Sequence, residues 1–198
     1  MNQKTTPGSA RSPSYSYQDL LDAEQVEVPA SLRESTDTYL GSDDLPIERW
    51  LSREFFDLEV EKMWSKTWQM ACRESQLKEP GDYFVYDIVN NSILITRTKS
   101  GELKAYHNSC LHRGRALKRG AGSADEFKCP YHGFRWSLDG DFLGAPCEWD
   151  FPHIDKDTFS LPQVQVDTWG GWVFINMDLE AEPLHSYLGV IPEHFKRW

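Results

Sequence analysis

Cys110-Leu111-His112-Arg113-Gly114 and, after a gap, Cys129-Pro130-Tyr131-His132-Gly133-Phe134 are the two stretches on which the reading of this chain turns. Sixteen residues separate His112 from Cys129. Two Cys and two His in paired groups suit either zinc or an iron–sulfur centre, because thiolate serves both. Spacing separates the two options. Zinc modules usually place two to four residues between paired ligands, and Cys-x-His is tighter than that. A binuclear cluster asks each loop to reach two irons, and each loop here offers one Cys and one His. The two thiolates suit an inner iron and the two imidazoles an outer iron nearer the surface. Two neutral imidazoles in place of thiolates raise the reduction potential of such a centre by hundreds of millivolts. Backbone N–H groups near Gly114 and Gly133 are placed to bond the sulfurs and raise it further.

The rest of the chain sets bounds on this. It has 198 residues, 39% of them apolar and 13% aromatic, enough for one domain with a real core or one domain plus an arm. The net charge is −10, which disfavours nucleic acid and anionic membrane surfaces as partners. No apolar run is long enough to span a membrane, and Met1 to Ser16 lacks the apolar core of a signal peptide. The expected address is cytoplasmic. In that reducing setting, the four cysteines point to metal binding before disulfides.

Residues 1–45 read as a flexible or subunit-contacting N-terminal arm, with Pro7, Pro13, Pro29 and the turn at Gly41 to Asp44. A short acidic helix is expected within Tyr17 to Val28. From residue 1 to 62 there are thirteen acidic side chains and six basic ones. Residues 46–80 read as a helix and linker, the helix running over 52–66 with Ser52 as N-cap and Phe55, Phe56, Val60 and Trp64 on its apolar face. From Pro80 the period changes to two. Strands are expected over Tyr83 to Ile88, Ile93 to Arg97 and Leu103 to His107, the first pair joined through Asn90-Asn91, with a hairpin turn at Leu138 to Phe142 and a buried strand at Val173 to Ile175. Short strands without intervening helices make the class mainly β. Residues 181–198 read as the start of a truncated following region, with Pro183 and Pro192 bracketing a short helix.

The two ligand stretches closely resemble the Rieske motif of aromatic ring-hydroxylating oxygenase alpha subunits. Trp64 to Trp68, Pro80 to Tyr83 and Asn108-Ser109 extend the likeness, which covers residues 45–198. Rieske proteins of cytochrome bc type resemble the chain less, because they carry two further cysteines in the half-motifs. The resemblance implies a Rieske-type fold of stacked small antiparallel β-sheets, over residues 81–180, preceded by the N-terminal arm and one helix. It implies one [2Fe–2S] cluster per subunit on Cys110, His112, Cys129 and His132. It also implies electrons supplied by a ferredoxin or an NAD(P)H-dependent reductase, and a mononuclear Fe(II) in a separate catalytic domain. A homotrimer or an alpha3beta3 assembly is implied for the full-length protein, an oxidoreductase of aromatic hydrocarbon catabolism acting as a monooxygenase or dioxygenase.

The catalytic iron would need two His and a carboxylate, and the chain is expected to hold no catalytic residue of its own. His153-Ile154-Asp155, with His185 or His194, superficially matches half of such a triad but reads as a surface turn. The rival functional reading is a stand-alone Rieske ferredoxin-like carrier; a third is a metal that merely staples loops. Lys104, Arg113, Arg115, Lys118, Arg119, Lys128 and Arg135 give seven basic residues against Asp125 and Glu126. They read either as a docking face for an acidic electron donor or as a solvated face. Tyr131, Phe134 and Trp136 read as a shield for the cluster or as plain core. Cys72 and Cys147 are expected to be buried free thiols.

Overall fold

The computed structural model describes residues 14–34 and 41–196. Pro7 and Pro13 of the arm, and Arg197 and Trp198 at the other end, lie outside the described residues. The chain divides into two compact units, one of residues 52–187, the other of residues 1–51 with 188–198.

In the smaller unit, α1 (Tyr17–Asp22) starts where the sequence offers a capping box. The Ser16 hydroxyl accepts the Asp19 amide at 3.1 Å, and the Asp19 carboxylate accepts the Ser16 amide at 2.8 Å. Leu21 is its one buried residue. A 3-10 turn (Ala30–Leu32) and α2 (Glu48–Leu51) follow.

The larger unit opens on α3 (Arg53–Glu59), capped as expected by Ser52, whose hydroxyl accepts the Phe55 amide at 3.2 Å. The expected single helix changes winding midway. From Val60 to Trp64 it is π-helical, and its apolar stripe is only partly covered. The exit is clamped to the sheet. The Asn176 side chain donates to the Lys66 carbonyl at 3.1 Å, the Gln69 side-chain amide to that of Trp64, and the Trp68 indole to that of Glu182 at 2.8 Å.

The strands are β1 (Gln69–Arg73), β2 (Asp82–Ile88), β3 (Asn91–Arg97), β4 (Leu103–His107), β5 (Ala121–Ser123), β6 (Phe127–Lys128), β7 (Arg135–Trp136), β8 (Phe142–Gly144), β9 (Gln163–Trp169) and β10 (Trp172–Asn176). Seven form one antiparallel sheet in the order β1-β10-β9-β4-β3-β2-β5; β6-β7-β8 form a small second sheet. The fold is mainly β, with curled antiparallel sheets and few helices.

Strand alternation sorts β3 and β4 between two cores. Ile93, Ile95 and Ala105 face a cluster with Cys72, Leu77, Val164, Val173 and Ile175. Leu94 and Tyr106 face the other, with Cys110, Cys129, Phe134 and Trp136. The larger sheet therefore backs directly onto the cysteine loops.

Three local expectations change. Ile88 pairs with Asn91, so the β2–β3 turn is Val89-Asn90 instead of Asn90-Asn91. Strand register decides this, and it leaves Val89 at φ 55°, a left-handed conformation that β-branched residues resist. Near the end, α4 (Leu184–Leu188) and α5 (Ile191–Phe195) form, and Pro192 lies inside the first turn of α5, where no intrahelical bond is lost. Cys72 is buried, its thiol pKa pushed up to about 11 by burial. Cys147 is exposed instead of buried, at φ 56° on a tight loop.

Two-residue loops with a single positive φ at the first position usually place glycine there. Val89→Gly should relieve that strain and, net of glycine's greater unfolded-state freedom, stabilise the fold by about 0.5–1 kcal/mol. Thermal unfolding should then show a midpoint about 2 °C higher; a lower midpoint would mean that Val89 gains more from packing than it loses in backbone strain.

Candidate metal centre

The first ligand loop joins β4 to β5, and the second is the connection of the β6–β7 hairpin. Both close by the same backbone device. The Cys110 amide donates to the Arg115 carbonyl (2.8 Å) and the Gly114 amide to the Cys110 carbonyl (2.8 Å). The Cys129 amide donates to the Phe134 carbonyl (2.7 Å) and the Gly133 amide to the Cys129 carbonyl (3.1 Å). In each loop the glycine four residues after the cysteine sits at the same left-handed φ, 71° for Gly114 and 72° for Gly133, which a side chain would disfavour. Aligned this way, the two cysteines are equivalent, while His112 and His132 fall one position apart.

Asn108 locks the first loop from beneath. Its side chain is 4% exposed, and it donates to the Ser92 hydroxyl (3.0 Å) and the Lys118 carbonyl (2.9 Å). Its oxygen accepts the amides of Leu117 (2.9 Å) and Lys118 (3.0 Å). All four positions of the amide group are used, and β3 is tied to both ends of the loop.

The loops bring the four sequence-identified ligands together as two pairs. Cys110 and Cys129 are both buried, and their thiols lie within hydrogen-bonding reach of each other. The His112 and His132 rings meet edge to face with centroids 4.8 Å apart. Burial raises the Cys110 thiol, and the neighbouring Cys129 raises it further, against the lowering effect of the His112 and Arg113 amides that bond its sulfur. His112 is lowered, first by burial, then by His132 and Arg113, which favours the neutral imidazole that a metal requires.

A bound cluster can be tested against these residues. The His112 Nδ1 is buried without a hydrogen-bond partner, a costly state for a ring nitrogen unless something else occupies its lone pair. Two thiols buried in contact cannot both ionise cheaply without a compensating cation. Among the described residues no group of three or more His, Cys, Asp or Glu side chains is arranged around a single ion. Two thiols on one side and two imidazoles on the other match instead the donor set of a binuclear iron–sulfur centre.

The surroundings divide the aromatic residues. Phe134 is buried and stacks on His112, with centroids 4.6 Å apart and planes 8° apart. Trp136 is buried behind it, its indole donating to the Phe159 carbonyl at 3.2 Å. Tyr131 is 61% exposed and lies over His132, with centroids 3.7 Å apart. Phe151, which sequence reasoning missed, stands edge-on to both His112 (5.5 Å) and Phe134 (5.2 Å); only the aromatic, proline-flanked run around it hinted at this.

The basic residues divide as well. Arg135 pairs with Glu126 (3.3 Å), Lys104 with Asp139 (3.8 Å), and the Lys118 ammonium lies 5.3 Å from the Tyr83 ring centroid. Arg113, Arg115, Arg119 and Lys128 are exposed, without an ion pair among the described residues. Elsewhere His107 is half-buried in β4, its pKa lowered by burial, while His153 and Asp155 are exposed in a turn.

Residues 67–160 match the family model of the Rieske [2Fe-2S] domain. They are a Rieske [2Fe–2S] domain, a class that implies a [2Fe–2S] cluster. Over 71–90% of its length the chain is similar to the N-terminal part of Rieske oxygenase alpha subunits. It is 33% identical over 142 residues to the chlorobenzene dioxygenase subunit alpha of Cupriavidus sp. (strain PS12), an alignment covering 71% of this chain and 32% of the relative. With the chloroplastic choline monooxygenase of Spinacia oleracea it shares 29% identity over 178 residues, 90% of this chain and 37% of that one. Among solved structures, the apo form of the quaternary ammonium Rieske monooxygenase CntA superposes with a TM-score of 0.73 at 32% identity, covering 76% of this chain and 44% of that chain. The chain thus spans about a third of the length of these curated relatives. Among the described residues no helix is long and apolar enough to cross a membrane.

Asn108→Ala should strand the Leu117 and Lys118 amides and cost about 2–4 kcal/mol. Urea unfolding should show the lower midpoint, and iron content should fall with it. Full iron content in a folded Asn108→Ala protein would show that the loop holds its shape without this side chain.

Proposed function

We propose that this chain carries one electron through a Rieske [2Fe–2S] cluster to a mononuclear non-haem iron, as part of a ring-hydroxylating type of oxygenase acting on an aromatic or related substrate. Cys110 and Cys129 would hold the inner iron, and His112 and His132 the outer one. The observation that carries this reading is the partnerless, buried His112 Nδ1 beside two buried thiols in contact. When bound, the cluster supplies a one-electron couple at a potential well above that of an all-thiolate centre. The protein's part is to hold two imidazoles in fixed orientation, to bring backbone amides onto the Cys110 sulfur, and to exclude water with Phe134 and Trp136. His112 and His132 are both half-exposed, so either imidazole can face a partner surface.

Relatives named for chlorobenzene and for choline share this stretch of sequence, so in this reading the substrate class is set by residues of the catalytic domain. The mononuclear iron belongs to a catalytic domain, and a trimeric assembly would bring one subunit's cluster to another's iron. The electron donor in this reading is an acidic ferredoxin or a reductase domain. It would meet the exposed Arg113, Arg115, Arg119 and Lys128, a local reversal of sign in a chain of net charge −10.

Iron, acid-labile sulfide and EPR on anaerobically purified, dithionite-reduced protein test the centre. Two irons and two sulfides per chain with a Rieske-type signal are expected, lost in Cys129→Ser. Zinc without sulfide in protein made under iron-replete conditions would overturn the reading. For the donor face, Arg115→Glu with Arg119→Glu should leave the EPR spectrum unchanged. It should slow reduction by an acidic ferredoxin about ten-fold or more at low ionic strength, a difference that shrinks toward nothing near 0.5 M salt. Equal rates at low salt would assign docking to another face.

A further inference from the structure

A third loop, from Gly144 to Lys156, reaches the site without offering a ligand. Two of its residues touch the ligand loops. Phe151 stands against His112 and Phe134, and Pro146 lies against Gly133, where an added Cβ would come within 3.1 Å of its Cγ. The bonds within the loop are local. The Asp150 amide donates to the Cys147 carbonyl (2.9 Å), the Phe151 amide to that of Glu148 (2.9 Å) and the Ile154 amide to that of Phe151 (3.0 Å). These shape the loop but do not anchor it.

The loop rests on the core through Ala145, Phe151 and Ile154, and one carboxylate ties its two ends together. Glu148 accepts the Ala145 amide at 3.2 Å and the Lys156 ammonium at 2.7 Å, joining the beginning, middle and end of the loop. Its oxygen lies over Gly144, where a Cβ would displace it, with the Arg135 guanidinium of β7 close by. Lys156 first, and then the Ala145 amide, hold this carboxyl below its ordinary range, so it is ionised at neutral pH. Single ion pairs at a half-exposed position are weak. A group that gathers several partners on one short loop restrains more backbone than any one pair.

We propose that Glu148 is the latch of the third loop: by holding Ala145 and Lys156 together it keeps Phe151 on His112 and water off that side of the cluster. This is a positioning role, and it rests on reading the site as a [2Fe–2S] centre. Solvent exposure is one of the determinants of such a potential. With two thiolates and two neutral imidazoles, reduction adds one negative charge to the site. Water admitted there stabilises the reduced form, so releasing the latch raises the potential.

The test uses the full chain with Glu148→Ala, Phe151→Leu and Glu148→Gln, the last keeping an acceptor for the Ala145 amide but not the charge for Lys156. Hydrogen exchange over residues 145–156 should be about ten-fold faster in Glu148→Ala, with Glu148→Gln between it and wild type. In loaded protein, both Glu148→Ala and Phe151→Leu should show a higher redox-poised EPR potential. Both should also show deeper deuterium modulation after transfer to D2O. Should Glu148→Ala not load iron, Phe151→Leu, which leaves the latch intact, carries the shielding test. Unchanged loop exchange in Glu148→Ala would overturn the latch. Wild-type potential and deuterium modulation in the loaded variants would overturn the shielding. Absence of a cluster from wild type would overturn the reading of the site, while loop exchange would still decide whether Glu148 latches the loop.

Discussion

The contact between the buried thiols of Cys110 and Cys129 is the constraint around which the rest of the larger unit is arranged. Two groups that must share negative charge in an apolar setting repel each other and resist ionisation. They stay together only because their backbones are fixed independently of the side chains. The matched pairs of backbone bonds from Cys110 to Arg115 and from Cys129 to Phe134 provide that, with Gly114 and Gly133 supplying the left-handed turn. Asn108 then ties the first loop to β3, and the β6–β7 pairing carries the second. Leu94 and Tyr106 form the floor, so the sheet's own alternation places apolar atoms beneath the sulfurs.

How much of this was legible follows from which interactions are local. The ligands were readable because cluster chemistry dictates residue type and spacing together. The β meander was readable because one buried face imposes a period of two. The Val89-Asn90 turn was not, since Asn-Asn is the better turn dipeptide and only the paired register of β2 and β3 overrides it. Pro192 looked like a stop but works as a starter, a distinction that depends on where the first turn begins. Phe151 on His112 and Glu148 on Lys156 are contacts between loop side chains, and no periodicity announces those. The same is true of exposed Cys147, whose direction is set by the turn it occupies.

Charge shows a similar separation between composition and placement. Seven basic residues in one stretch suggested a single face. In the structure Arg135 and Lys104 are paired, and Lys118 lies over aromatic rings. That leaves Arg113, Arg115, Arg119 and Lys128 exposed. Counting charge along the chain therefore overstated the patch, and acidic partners within reach decide what remains of it. A partner steered by long-range attraction responds to the unpaired charges, because each ion pair cancels most of its own field within a Debye length.

The two imidazoles end up in unlike surroundings although their loops close alike. His112 is enclosed by Phe134, Phe151 and His132, and its Nδ1 is out of reach of water. His132 has a mostly exposed ring, Tyr131, over it. The one-residue offset between the histidines gives this difference a covalent origin: two residues separate Cys129 from His132, while one separates Cys110 from His112. The shorter link holds His112 against the aromatic wall and the longer one brings His132 under Tyr131, while both rings stay half-exposed. A centre built this way has an aromatic lining against one imidazole, which bears on potential, and leaves part of both rings at the surface, where a partner can approach. Water exclusion and electron exchange can therefore share one small site, because at His112 they fall on different atoms of one ring: Nδ1 is sealed while the rest of the half-exposed ring meets the surface.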